Sequence, residues 1–194
     1  MPKKWILASS SPRRIELLRT IMADFDVCSA SVEELHTVPD GAQPELIAQI
    51  NAKRKAEWVA EKHPDAYVIG ADTIVVLKKS IFNKPKNLEE ARWMLEQLSG
   101  QTHHVITAAC ITCKANRLCK AFTVHSPVTF APLESDFIGK YLQEIHPLDK
   151  AGAYAIQHPL TQKFATFSPE DYTNIMGFPV NTFKQIIERM DGSL

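Results

Sequence analysis

The sequence predicts an α/β fold: a mixed β-sheet flanked by helices, in one domain over residues 1–194 with room for two lobes. Three observations carry this reading. Segments with apolar residues at helical spacing alternate with short runs rich in Val and Ile over the first half of the chain. Residues 104–113 and 118–130 then read as two successive strands about one turn, a hairpin. Interleaved strands and helices with a hairpin added give a mixed sheet rather than a bundle or a sandwich. The composition agrees, since 45% hydrophobic and 23% charged residues over 194 positions are ordinary for a globular chain with a real core.

The elements follow in order. Residues 4–8 form a short strand, and Pro12 stands where a first helical turn tolerates it. Ile15, Leu17, Leu18 and Ile21 make the apolar stripe of a helix over 13–21. Residues 25–30 are a second strand candidate. Gln43-Pro44-Glu45 opens a long helix that runs to about Lys62 and stops at His63-Pro64. Residues 67–77 form a buried strand. Asn87-Leu88-Glu89-Glu90 starts a helix that Ser99-Gly100 ends. Beyond the hairpin, which turns at Lys114-Ala115-Asn116-Arg117, helices are expected over 134–143 and 181–190.

The 22 basic and 22 acidic side chains give a formal net charge of zero. A protein holding nucleic acid or an anionic membrane by bulk charge usually needs a basic excess, so the balance argues against bulk nucleic-acid binding and against a membrane partner. The apolar run near the start is too short for a signal core of about 7–15 residues. No stretch approaches the roughly 18–20 residues of a membrane span. Cys110-x2-Cys113 lacks a second such pair, so Cys28, Cys110, Cys113 and Cys119 read as buried or half-buried free thiols. The expected location is the cytoplasm.

Two segments carry chemistry. Ser9-Ser10-Ser11-Pro12-Arg13-Arg14 joins a strand to a helix, where free backbone N–H groups converge. Serine hydroxyls and two arginines there make a phosphate cradle without the glycines of a P-loop. The plainer alternative is that Ser10 or Ser11 only caps the helix. The second segment, Gly70-Ala71-Asp72-Thr73, places an acid inside an apolar strand. Burying it is costly without a partner, which makes Asp72 a candidate metal ligand or general base. Gly70 and Ala71 are expected to leave room for a ligand, and Thr73 to point to the other face or the pocket edge.

Weaker candidates lie elsewhere. Lys55 is on the long helix and shares a face with Asn51. Lys84 ends an irregular turn. Val32-Glu33-Glu34 offers a carboxylate that could join Asp72 at magnesium. Gln157 has both a donor and an acceptor for a base edge. The pair His103-His104 reads as structural, one ring packed and one wet.

Taken together, LASSSPRR (7–14), VEE (32–34), AKRKAEWVA (52–60), GADTIVV (70–76), KP (84–85), LSGQTH (98–103), DKAGAYAIQ (149–157) and NIMGFPV (174–180) resemble the Maf family of nucleotide pyrophosphatases almost end to end. The resemblance implies a two-lobed fold like that of inosine triphosphate pyrophosphatases, with the active-site cleft between the lobes. It implies cleavage of a nucleoside triphosphate between the α- and β-phosphates in a house-cleaning role. A divalent cation is implied too, magnesium with manganese as its substitute, and so is a homodimer. By position, Asp72 matches the catalytic base and Glu34 the acidic residue near the metal. Ser9, Arg14, Lys55 and Lys84 match phosphate-contacting positions.

Arg13, Thr73 and Gln157 match the dTTP/UTP branch, whereas the branch acting on 7-methyl-GTP carries Trp, Gln and Glu at those places. A neutral Gln pairs with a pyrimidine imide through one donor and one acceptor; Glu suits a donor-rich edge. The chain departs from the family pattern at His158-Pro159-Leu160, at Ser168-Pro169-Glu170-Asp171 and at Asn174-Ile175-Met176-Gly177-Phe178. The first departure bears on the loop over the base. Two alternatives stay open at this point: the same reaction on 7-methyl-GTP or other purine triphosphates, and a nucleotide-sensing regulator of cell division without turnover.

Overall fold

The computed structural model describes residues 3–37, 39 and 41–191. Its centre is the strand β3 (Tyr67–Leu77), whose Val and Ile residues are buried because sheet neighbours or helices cover both faces. Strand β1 (Trp5–Leu7) pairs with it in parallel, and β2 (Asp26–Val27) continues the parallel ladder beyond β1. On its other side β3 pairs antiparallel with β5 (Thr102–Cys113), which forms the expected hairpin with β6 (Leu118–Phe130). Two strands escaped the sequence reading: β4 (Ser80–Phe82) folds back on the end of β3, and β7 (Ala165–Thr166) pairs with β6. The order is β2-β1-β3-β5-β6-β7 with β4 alongside β3, a mixed sheet as expected.

The pairing leaves a gap that places the site. On one edge, β3 residues 67–69 pair with β1 and residues 75–77 pair with β4. Residues 70–74 have no strand on that edge, so side chains on both faces of β3 can reach one opening.

The helices cover the two faces unequally. Helix α2 (Glu45–Lys62) lies on the face of the even-numbered β3 residues, where Ala52, Ala56 and Val59 pack near Val68 and Ile74. It approaches closely because Gly70 has no side chain: a Cβ there would lie 2.1 Å from the Ala52 carbonyl oxygen. The space at Gly70 therefore belongs to helix α2, not to a ligand as the sequence reading expected. Ala71 is also filled space, fully buried in a cluster with Leu7, Leu18 and Phe183.

On the odd-numbered face two apolar clusters form. One contains Leu18 of α1 (Pro12–Arg19), Ile69, Ile111 and Phe183 of α7 (Val180–Asp191). The other contains Val75, Leu95 of α3 (Leu88–Leu98), Tyr141 of α4 (Ser135–Glu144) and Phe130. Thr73 stands on this face between Ala71 of the first cluster and Val75 of the second. Helix α3 begins where expected, with the Asn87 side chain accepting from the Glu90 N–H at 2.8 Å and Glu90 accepting from Lys86 N–H. Helices α5 (Pro159–Gln162) and α6 (Tyr172–Met176) are too short to show a helical stripe in sequence. His103 is buried and His104 exposed, as expected of that pair. Cys110 and Cys113 are buried and Cys28 half-buried, but Cys119 is exposed, because helix α2 covers β5 more fully than β6.

Candidate active site

A cleft of about 440 Å³ opens at the unpaired stretch of β3 and is lined by Ser9, Arg13, Arg14, Glu34, Lys55, Asp72, Thr73, Lys84 and Gln157, every site residue expected from the sequence. Asp72 and Thr73 line it together although consecutive strand residues point to opposite faces. The missing edge pairing makes that possible.

Asp72 faces helix α2 and is 7% exposed. Its Oδ1 accepts from Lys55 Nζ at 2.7 Å, and its Oδ2 from Asn51 Nδ2 at 3.1 Å. Asn51 and Lys55 are one helical turn apart, so both reach the same carboxylate. Lys55 Nζ is also 2.7 Å from Glu34 Oε1. One ammonium thus joins two carboxylates, and Lys84 Nζ stands 3.9 Å from the other Glu34 oxygen. Desolvation pushes the Glu34 pKa upward, but the hydrogen bond and charge of Lys55, then Lys84 and Arg14, outweigh it and hold it below the ordinary value. Asn51 was not singled out as a site residue. It accepts from Leu35 N–H at 2.8 Å and donates to Leu35 C=O at 3.0 Å, which ties the acidic segment to α2. A polar residue one turn from Lys55 on that helix was the available signal.

Arg14 faces the other wall. Its Nε donates to the Gly177 carbonyl at 2.9 Å, Nη2 to Thr73 Oγ1 at 3.1 Å and Nη1 to Ser9 Oγ at 3.5 Å. Gly177 ends α6 at φ +116°, a left-handed conformation that an L side chain rarely adopts. Burial lowers the Arg14 pKa, while the charges of Asp72 and Glu34 pull it the other way.

The serine segment does not act as the plain alternative required. Ser11 occupies the cap position of α1 without a side-chain cap bond, and Ser9 Oγ instead accepts from Ser11 N–H at 3.2 Å. Arg13 is held by Asp149, 3.3 Å from Nη1 to Oδ2, and Asp149 also meets Lys150 Nζ. Neither Asp149 nor Lys150 was given a role from sequence; the contact of Asp149 with Arg13, 136 positions away, exists only in the fold. After Gln157, His158 caps α5 by accepting from Leu160 N–H at 3.3 Å, so the departure at His158-Pro159 starts a helical turn.

Glu34 and Asp72 supply hard oxygen ligands drawn toward one cation, here the Lys55 ammonium. Among the described residues no group of three or more His, Cys, Asp or Glu could hold a metal. Two carboxylates suit magnesium, which usually keeps waters and shares substrate phosphates instead of sitting in an all-protein cage.

No helix of the described residues is long and apolar enough to cross a membrane. The family model Maf, described as Maf-like protein, matches residues 4–190. A protein of Pseudoalteromonas atlantica named dTTP/UTP pyrophosphatase is 41% identical over 189 residues, covering 95% of this chain and 96% of its own. One of the same name from Symbiobacterium thermophilum is 41% identical over 184 residues, covering 94% and 91%. Among solved structures, the Staphylococcus aureus Ham1 protein aligns over 66% of this chain and 72% of its own, at 18% identity and a TM-score of 0.49. With a family model over nearly its whole length and full-length relatives at this identity, the chain belongs to the Maf family.

Proposed function

We propose that the chain is a nucleoside triphosphate pyrophosphatase that hydrolyses dTTP, UTP and modified pyrimidine triphosphates to the monophosphate and pyrophosphate. The reading draws on the names of its relatives. The observation that carries it is one cleft with a carboxylate pair on one wall and, on the other, an arginine hydrogen-bonded to neutral oxygens. Such a cleft suits a polyanion that arrives with a divalent cation.

Glu34 and Asp72 would hold that cation, magnesium in the first place, which supplies charge neutralisation for the triphosphate. Asp72 orients the water that attacks the α-phosphorus and takes its proton as the α–β bridge bond breaks. Arg14, with Ser9, binds phosphate oxygens and offsets the charge that passes to the leaving pyrophosphate. Lys55 and Lys84 add positive charge on the acidic wall, where an entering phosphate offers the Lys55 ammonium a further anionic partner. Arg13, Thr73 and Gln157 set the base preference, Gln157 by offering one donor and one acceptor to a pyrimidine imide. The whole chain is one functional unit, with this cleft between two lobes, acting as a homodimer in the cytoplasm.

The test is pyrophosphate release from a nucleotide panel with and without magnesium. Metal-dependent pyrophosphate and monophosphate from dTTP and UTP are the expected products. Preference for 7-methyl-GTP would contradict the choice of branch, and tight binding without product would contradict an enzyme.

A further inference from the structure

On the odd-numbered face of β3, the clusters containing Ile69 and Val75 are separated by a polar layer. Its members are Thr73, its cross-strand partner Thr107 on β5, and the end of α6. Thr107 is 0% exposed and does not line the cleft. Its hydroxyl donates to the Asn174 carbonyl at 3.0 Å. Asn174 is itself pinned, its Nδ2 donating to Ser126 Oγ at 2.8 Å and to the Val124 carbonyl at 3.2 Å.

A hydroxyl has one hydrogen and two lone pairs. Thr107 spends its hydrogen on Asn174, so at the 3.0 Å contact between the two threonine oxygens Thr73 is the donor. Thr73 then has only lone pairs left, and Arg14 Nη2 lies 3.1 Å from them. The direction is therefore fixed from the strands outward: Asn174 accepts from Thr107, Thr107 from Thr73, and Thr73 from Arg14.

We infer that Thr107 is a positioning residue for Arg14: it holds the Thr73 hydroxyl as an acceptor, so the guanidinium stays aimed into the cleft. This rests on the reading of Arg14 as a phosphate-binding group. Without the Thr107 oxygen, the Thr73 hydrogen turns to the Gly177 carbonyl, 3.5 Å away. That is the carbonyl Arg14 Nε uses, so the turned hydroxyl shares an acceptor with Nε and no longer aims its lone pairs at Nη2.

Thr107→Val keeps the shape and removes the oxygen; Thr107→Ser keeps the oxygen. We expect Thr107→Val to lower kcat/KM for dTTP about tenfold, the scale of one weakened bond to a charged group, with a melting temperature only a few degrees below that of the parent. Thr107→Ser should stay within about threefold of the parent on the same scale. In an Arg14→Gln background, Thr107→Val should cost nothing further, since coupled residues do not add. Should the valine variant fail to fold, Thr107→Ala carries the same expectation. Parent-like activity of the valine variant, an equal loss in the serine variant, or a tenfold loss that persists without Arg14 would each overturn the proposal. Normal activity of Arg14→Gln alone would bring down the reading beneath it, and the proposal with that reading.

Discussion

The two walls of the cleft hold their charges in opposite ways. On the α2 side, Lys55 lies 2.7 Å from both Asp72 and Glu34 and Lys84 3.9 Å from Glu34, so two ammonium groups meet two carboxylates within the wall. On the α1 side, Arg14 makes its hydrogen bonds to a carbonyl and two hydroxyls, none of which neutralises it. A cation among neutral acceptors keeps its charge for an incoming anion, whereas a balanced cluster must exchange partners when a ligand arrives. A neutral chain can therefore present a locally basic surface: only the arrangement decides which charges are already compensated.

Breaking the acidic wall should have the largest effect. Asp72→Asn keeps the shape but removes the proposed proton acceptor, and turnover measured by pyrophosphate release should fall at least about a hundredfold, the usual scale for a lost general base. Near-parent turnover would sink its assignment. The opposite wall is probed by Arg14→Gln, which should lower kcat/KM by about tenfold or more. Arg13→Gln should cost only about threefold, the scale of a partly exposed ion pair, because Asp149 already engages that charge. A larger loss at Arg13 than at Arg14 would invert the comparison.

Acid gives the smallest and most selective test. The folded-state pKa of Glu34 lies below its ordinary 4.5, so its contribution to stability is present above that pH and fades as pH falls through the lower folded value. Melting temperature followed down from about pH 5 should drop less steeply in Glu34→Gln than in the parent. The neutral oxygens around Arg14 add nothing in this range. His103 titrates in a different window: burial lowers its pKa from 6.5 to about 4, so stability is lost progressively as pH falls between those values.

Long elements were legible because a local pattern decides their burial. Helix α2, strand β3 and the β5–β6 hairpin lie close to where their patterns put them. The short ones were not: β4 turns back at Lys78, φ 59°, with no Gly or Asn there to signal a hairpin. The expected charged residues all line the cleft, since charge inside apolar or loop contexts stands out in one dimension. Asn51 and Thr107 carry no charge, and the charge of Asp149 is one of many in loops. Their meaning comes from partners 21, 34 and 136 positions away. Gly70 shows the limit from the other side, since its missing side chain admits a helix backbone where a ligand was expected.

By itself, then, the sequence determined the fold class, the main helices and strands, and the inventory of groups able to do chemistry, because periodicity and residue type are local properties. The tertiary structure alone decided how those groups are spent. The gap between β1 and β4 along β3 lets residues from both faces meet, and chain-distant partners fix each hydrogen bond. Whether a charge is neutralised or held ready depends on which oxygen lies within about 3 Å of it, and that distance is a property of the fold.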